Sequence, residues 1–226
     1  MSGNTTLKSL YPFLHGRKQD PAQMNAALLA AVGEKVDHHR ATIDAFFAKN
    51  GQAVIDAAGA VADTYRRRGR MFTMGNGGSS CDAAHVAVEF MHPVTAGRPA
   101  LTAIDLTADR TMLTAVGNDV GFAHIYVRQI IAQGRAGDVL IGLSTSGNSQ
   151  NLVKAFVKAK EMGLTTIGLS GMSGGEMAKM GLDHCLVVET DSIHRIQECH
   201  VTIFHVLWDL VHTLLADERG SMGENA

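Results

Sequence analysis

The chain reads as an α/β protein: a five-stranded parallel sheet flanked by helices, with an N-terminal helical arm. Three observations carry this reading. From residue 70 onward, short apolar segments alternate with amphipathic helical ones, the pattern of strand–helix–strand units. Val139-Leu140-Ile141-Gly142-Leu143 has no polar side, as expected of a strand covered on both faces. Loops rich in glycine or hydroxyl groups follow two of the strands, where open parallel sheets place their ligands.

Residues 1–19 are weakly patterned and read as an arm or loop. Asp20-Pro21 is a helix start: a capping carboxylate, then a proline whose missing N–H does no harm there. Met24, Leu28, Leu29, Val32, Val36, Ile43, Phe46 and Phe47 then recur at spacings near three and four, forming one apolar stripe. Asn50-Gly51 suits a break, after which Val54, Ile55, Ala58, Val61 and Tyr65 mark a second helix to about Arg68. A helix from Pro21 to Asn50 is longer than a small domain's own core requires, so its stripe is expected to meet another subunit.

Strands are expected at 71–74, 101–106, 139–143, 166–169 and 185–188. Helices are expected at 79–90, 112–116, 122–133, 149–162, 176–180 and 193–216. The last carries Ile196, Cys199, Ile203, Phe204, Leu207, Leu210, Val211 and Leu214 on a broad apolar face. The order of the strands is not readable from spacing. The expected organisation is 1–68 as arm and helices packing on the core and on neighbouring subunits, 69–220 as the α/β domain, and 221–226 as a tail.

Composition narrows the function classes. In 226 residues, 46% hydrophobic and 19% charged side chains exclude a disordered chain. Twenty basic against 22 acidic residues leave a formal charge of -2, without the basic excess that a nucleic-acid or anionic-membrane surface needs. Arg66-Arg67-Arg68-Gly69-Arg70 reads as the solvated end of a helix. Cys81, Cys185 and Cys199 form no CxxC pair and leave an odd thiol, which fits a reducing compartment. The first residues show no leader pattern, and no run of ~18 apolar residues occurs, so a cytoplasmic protein is expected.

Two loops invite chemistry. Gly75-Asn76-Gly77-Gly78-Ser79-Ser80 is glycine-rich after a strand, so a ligand can approach its backbone closely, but it is not GxGxxG. Ser144-Thr145-Ser146-Gly147-Asn148-Ser149 opens a helix and offers four hydroxyls with the N–H groups of a helix N-terminus, a neutral cradle for a phosphate dianion. The bland reading is that Ser149 merely caps the helix; one cap needs one hydroxyl, and this loop has four. Without a Walker lysine, a phosphate monoester fits better than a nucleoside triphosphate.

Beside these loops lie polar residues on otherwise apolar helices. His85 and Glu89 are four apart and share a face. Gln197 and His205 are eight apart, about 80 degrees from registration, so both can face one pocket. Glu89 and His205 together make a proton-transfer pair suited to a sugar carbonyl. Alternatively His85, Glu89, Gln197 and His205 hold a divalent ion, with zinc favoured by two imidazoles and a carboxylate.

Four stretches together carry a family likeness over about residues 40–216. They are Gly75-Asn76-Gly77-Gly78-Ser79 with Asp82, His85 and Glu89, and Leu113-Thr114-Ala115-Val116-Gly117-Asn118-Asp119 with Gly121-Phe122. The others run from Gly137-Asp138 through Ser144-Thr145-Ser146-Gly147-Asn148-Ser149, and over Arg195-Ile196-Gln197-Glu198 with His200 and His205. In these the chain resembles the sugar isomerase (SIS) domain family, and within it the sedoheptulose-7-phosphate isomerases.

The resemblance implies a flavodoxin-like parallel sheet and a homotetramer with active sites between subunits. It implies conversion of sedoheptulose 7-phosphate to D-glycero-D-manno-heptose 7-phosphate, on the way to the heptose of lipopolysaccharide and other glycans. Glu89 and His205 match the acid–base residues, and Ser144, Thr145, Ser146 and Ser149 the phosphate-binding ones. Asn76, Gly77, Ser79, Asp109 and Gln197 match residues at the sugar. Zinc in some members is held by residues matching His85, Glu89, Gln197 and His205; no nucleotide cofactor is implied.

The chain also departs from the family. Members continue after the glutamate with Gly-Arg-aromatic, whereas this chain has Pro93 at the arginine's place and Arg98 five residues on. Ile193-His194 replaces small residues before Arg195, and Asp109-Arg110-Thr111 replaces aspartate-threonine-serine. Two alternatives therefore stand: a non-catalytic SIS protein binding a phosphosugar or a replication-initiation partner, and an isomerase for another sugar phosphate.

Overall fold

The computed structural model describes residues 21–216; the expected arm at 1–19 and tail at 221–226 lie outside them. One compact unit ends at His38 and, within the described residues, consists of helix only. Met24, Leu28, Leu29, Val32 and Val36 are exposed along it. The second unit, from His39, holds everything else.

Helix α1 runs Pro21–Arg66 without the expected break at Asn50-Gly51. A glycine inside a helix costs about 1 kcal/mol relative to alanine. Burial of Val54, Ala57, Ala58 and Val61 immediately after it is worth more, and Asn50 donates its side-chain amide back to Phe46 O at 3.0 Å.

The sheet follows: β1 (Met71–Gly75), β2 (Ala103–Asp105), β3 (Val139–Ser144), β4 (Thr165–Gly171) and β5 (His184–Val188). All pairings are parallel, in the order β2-β1-β3-β4-β5. Helices α2 (Gly78–Met91), α3 (Arg110–Asp119), α4 (Ile125–Gln133), α5 (Gln150–Glu161) and α6 (Ile193–Leu214) alternate with the strands. The expected helix at 122–133 splits into a 3-10 turn, Phe122–His124, and α4. The expected helix at 176–180 is a set of turns, with the N–H groups of Lys179 and Met180 both on Glu176 O.

Alternate side chains of the strands enter two separate cores, as a sheet covered on both faces requires. Val139, Ile141 and Leu143 of β3 pack with α2, α6 and the second half of α1, whereas Leu140 joins Phe72, Met74, Phe156 and Tyr126 on the opposite face. Gly142 makes room on that second face: a Cβ there would lie 2.6 Å from the Phe156 ring. β1 and β3 are neighbours, but the chain leaves β1 toward β2 and leaves β3 toward β4. Their carboxyl ends flank the crevice where such sheets bind ligands.

Candidate active site

The loop after β1 is a tight turn that only glycine permits. A Cβ on Gly75 would lie 2.1 Å from Ser79 O, and Gly77 has φ 56. Ser79 N–H reaches Asn76 O at 3.0 Å, and Ser80 Oγ donates to Gly77 O at 2.6 Å. The hydroxyl of Tyr126 donates to Gly75 O. Burial, reinforced by Asp105, pushes this phenol up to about 12, so it remains a donor. Asn76 and Asn151 exchange two amide hydrogen bonds, at 2.9 and 2.8 Å, joining the loop to the first turn of α5.

The loop after β3 is set differently from a simple cap. Ser149 stands at the N-cap of α5 but makes no side-chain cap bond; its Oγ lies 3.0 Å from Ser144 Oγ. Ser144 Oγ also accepts Gly147 N–H at 3.2 Å, and Ser146 Oγ accepts Asn148 N–H at 3.3 Å. Thr145 and Ser146 are half-buried. The loop rests on the turn at 172–177: Met177 N–H binds Gly147 O at 3.0 Å, and Glu176 N–H binds Asn148 Oδ1 at 3.0 Å. Gly147 has φ 66, and a methyl group on it would lie 2.0 Å from Gly174 O. These bonds hold the hydroxyls at the N-terminus of α5 in an uncharged loop, a chemistry that suits an anion.

His85, Glu89 and His205 meet from α2 and α6, with ligand-type atoms all within 4.8 Å of one another. His85 Nε2 is 3.1 Å from Glu89 Oε1, and the two imidazole centroids are 5.1 Å apart. His85 and Glu89 are half-buried, and His205 is exposed. One turn before His85, burial raises the carboxyl of Asp82 above its usual range while His85 opposes the shift. Its Oδ2 is buried without a hydrogen-bond partner among the described residues.

Gln197 lies over the start of α2, where a Cβ on Gly78 would come 2.2 Å from its Nε2. Asp109 caps α3, accepting Met112 N–H at 2.9 Å. Arg98 does not stand in for an arginine at residue 93: its guanidinium packs 4.1 Å from the Trp208 ring centroid and binds Asp209 Oδ1 at 2.8 Å. Sequence reasoning missed Asn151, the 172–177 support and the Trp208 indole on Glu89 O at 2.8 Å. Of these only Gly174-Gly175 left a signal, a turn-forming pair.

A doubly wound sheet with a hydroxyl-rich loop at its switch point, together with an imidazole–carboxylate cluster, has the layout in which open α/β sheets bind small ligands. The SIS domain family model matches residues 36–171, and the chain belongs to that family. Phosphoheptose isomerase of Sulfurimonas denitrificans is 47% identical over 147 residues, 65% of this chain and 75% of its own length. That of Geotalea daltonii is 38% identical over 192 residues, 85% of this chain and all of its own. The solved phosphoheptose isomerase from Neisseria gonorrhoeae superposes with a TM-score of 0.78 at 35% identity, covering 82% of this chain and 99% of that one.

Proposed function

We propose that this chain is an aldose–ketose isomerase converting sedoheptulose 7-phosphate to D-glycero-D-manno-heptose 7-phosphate. The observation that carries the reading is the meeting of Glu89 with His85 and His205, in a chain similar to phosphoheptose isomerases along most of its length. The phosphate docks on Ser144, Thr145, Ser146 and Ser149 and on the N–H groups opening α5. Asn76, Gly77, Ser79, Asp109 and Gln197 orient the open-chain sugar. Glu89 takes the proton from the hydroxymethyl carbon beside the ketone, and His205 gives a proton to the carbonyl oxygen. The resulting cis-enediol collapses when Glu89 returns its proton to the former carbonyl carbon and His205 accepts one from the terminal hydroxyl. Hydrogen bonds that strengthen as charge gathers on oxygen supply much of the acceleration.

Two imidazoles and a carboxylate within 4.8 Å of one another fit zinc, and His85, Glu89, Gln197 and His205 would hold it. Bound there, the metal would supply Lewis-acid polarisation. The exposed stripe on the first half of α1 and the exposed His205 support a homotetramer whose subunits complete each other's sites. Among the described residues no helix is long and apolar enough to cross a membrane, and we assign the enzyme to the cytoplasm.

The test follows C–H exchange and product formation by proton NMR with phosphorylated ketoses, with zinc and with chelator. The parent turns over sedoheptulose 7-phosphate, and Glu89→Gln lowers kcat by about 10²- to 10⁴-fold while phosphosugar binding persists. A parent that binds phosphosugar but exchanges no C–H in any ketose phosphate overturns the reading in favour of a non-catalytic SIS protein. Exchange in a different ketose phosphate only would move the substrate and keep the chemistry.

A further inference from the structure

Helix α2 has to stop just after Glu89. Pro93 bars the helical conformation at His92, whose φ is -133 and ψ 70. The carbonyls of the last turn then need partners from outside the helix. His92 N–H takes Val88 O at 2.8 Å, and Leu101 N–H takes Phe90 O at 2.8 Å. Between these two, Glu89 O accepts the indole N–H of Trp208 at 2.8 Å. The donor sits three residues beyond His205 on α6, so the bond ties the backbone of one acid–base residue to the helix that carries the other.

The indole is itself fixed. Arg98 lies over the ring, 4.1 Å from its centroid, and holds Asp209 Oδ1 at 2.8 Å. The His212 ring meets the indole at 5.0 Å and stacks in turn on Phe90 at 6.0 Å. The Arg98 side chain is only 18% exposed, and its Nη1 is buried without a hydrogen-bond partner among the described residues. A guanidinium so desolvated is held by the ring and by one carboxylate, which makes it a clamp on the indole rather than a solvated surface charge.

We propose that Trp208 and Arg98 are positioning residues: the indole N–H pegs the backbone of Glu89, and Arg98 holds the indole. The Glu89 carboxylate thereby keeps its place against His85 and His205. The proposal rests on the isomerase reading and assigns this chain its own answer to Pro93. The phosphate and sugar contacts proposed above come from the loops after β1, β2 and β3 and from Gln197, eleven residues before Trp208 on α6, and none from the end of α2, so the peg governs turnover rather than affinity.

The test compares Trp208→Phe with a chain carrying 3-benzothienylalanine at 208, which keeps the bicyclic ring but replaces its N–H by sulfur, and with Arg98→Ala. Both ring variants are expected to lose about 10- to 100-fold in kcat with KM within about twofold, since a misplacement near 1 Å suffices for such a loss. Arg98→Ala moves kcat in the same direction by less. Parental kcat in the benzothienylalanine chain overturns the peg, as does a rise in KM alone. The isomerase reading fails separately, when the parent turns over nothing. The peg is then read from the single indole N–H resonance of the parent, which exchanges slowly with solvent and faster in Arg98→Ala. Rapid exchange in the parent, or no change on removing Arg98, overturns it.

Discussion

Gly78→Ala separates activity from stability in opposite directions. Gly78 opens α2 and has no need of a left-handed conformation, and alanine in a helix is favoured over glycine by up to about 1 kcal/mol. The added Cβ, however, would lie 2.2 Å from Gln197 Nε2, where ordinary contact begins at 3.4 Å. The three atoms nearest that Cβ all belong to the Gln197 side chain, so the flexible amide gives way, by about 1.2 Å. A displacement of that size at a group orienting the substrate costs up to about 100-fold in kcat/KM. The assay is isomerisation of sedoheptulose 7-phosphate beside urea unfolding, for Gly78→Ala, Gln197→Ala and the double variant. The expected result is an unchanged or slightly raised unfolding midpoint, a 10- to 100-fold lower kcat/KM, and no further loss in the double variant. Parental kinetics in Gly78→Ala, or independent losses that add in the double variant, would refute the reasoning.

Three further outcomes can be measured. Gly147→Ala puts a methyl 2.0 Å from Gly174 O at a residue with φ 66. It should lower unfolding free energy by more than the ~1–2 kcal/mol of the left-handed strain alone, and weaken phosphosugar binding. Asn151→Ala strips Asn76 of both amide partners; a loss of about 1–3 kcal/mol in urea unfolding is expected, with a raised KM. His200 Nε2 donates its N–H to Ser170 O at 3.0 Å, and burial pulls its pKa down to about 4. Between about pH 6.5 and 4 the unfolded chain therefore binds a proton that the folded chain refuses. Stability is full above about 6.5 and falls as pH drops, on the order of 3 kcal/mol by pH 4, and His200→Gln should remove that share of the slope.

The strands were legible because burial on both faces leaves a signature in the sequence itself. β3 is apolar at every position from Val139 to Leu143, and the sheet it belongs to is parallel throughout. Spacing also put His85 and Glu89 on one face of α2, since helix periodicity fixes which side chains share a face, whereas the arrival of His205 from α6 depends on how the two helices pack. What escaped depended on contacts between distant segments. Asn50-Gly51 carries a local stop signal that buried α1 side chains outweigh, and 176–180 has helical composition but ends as turns between glycines with positive φ. Asn151 looks like any polar residue in a first helical turn until Asn76 is seen opposite it. Arg98, five residues past Pro93, carries no sign of its partner in the sequence, and only the packed structure reveals the indole beneath it.

Trp208 is the chain's sole tryptophan, and it sits against the backbone of Glu89 under a cation. The protein thus carries an optical reporter at its candidate site. Light emitted by that one fluorophore comes from no other part of the molecule, and a nearby guanidinium tunes its colour and brightness. Any sugar phosphate or metal ion that shifts Glu89 will register as a spectral change, with no dye attached and no residue replaced.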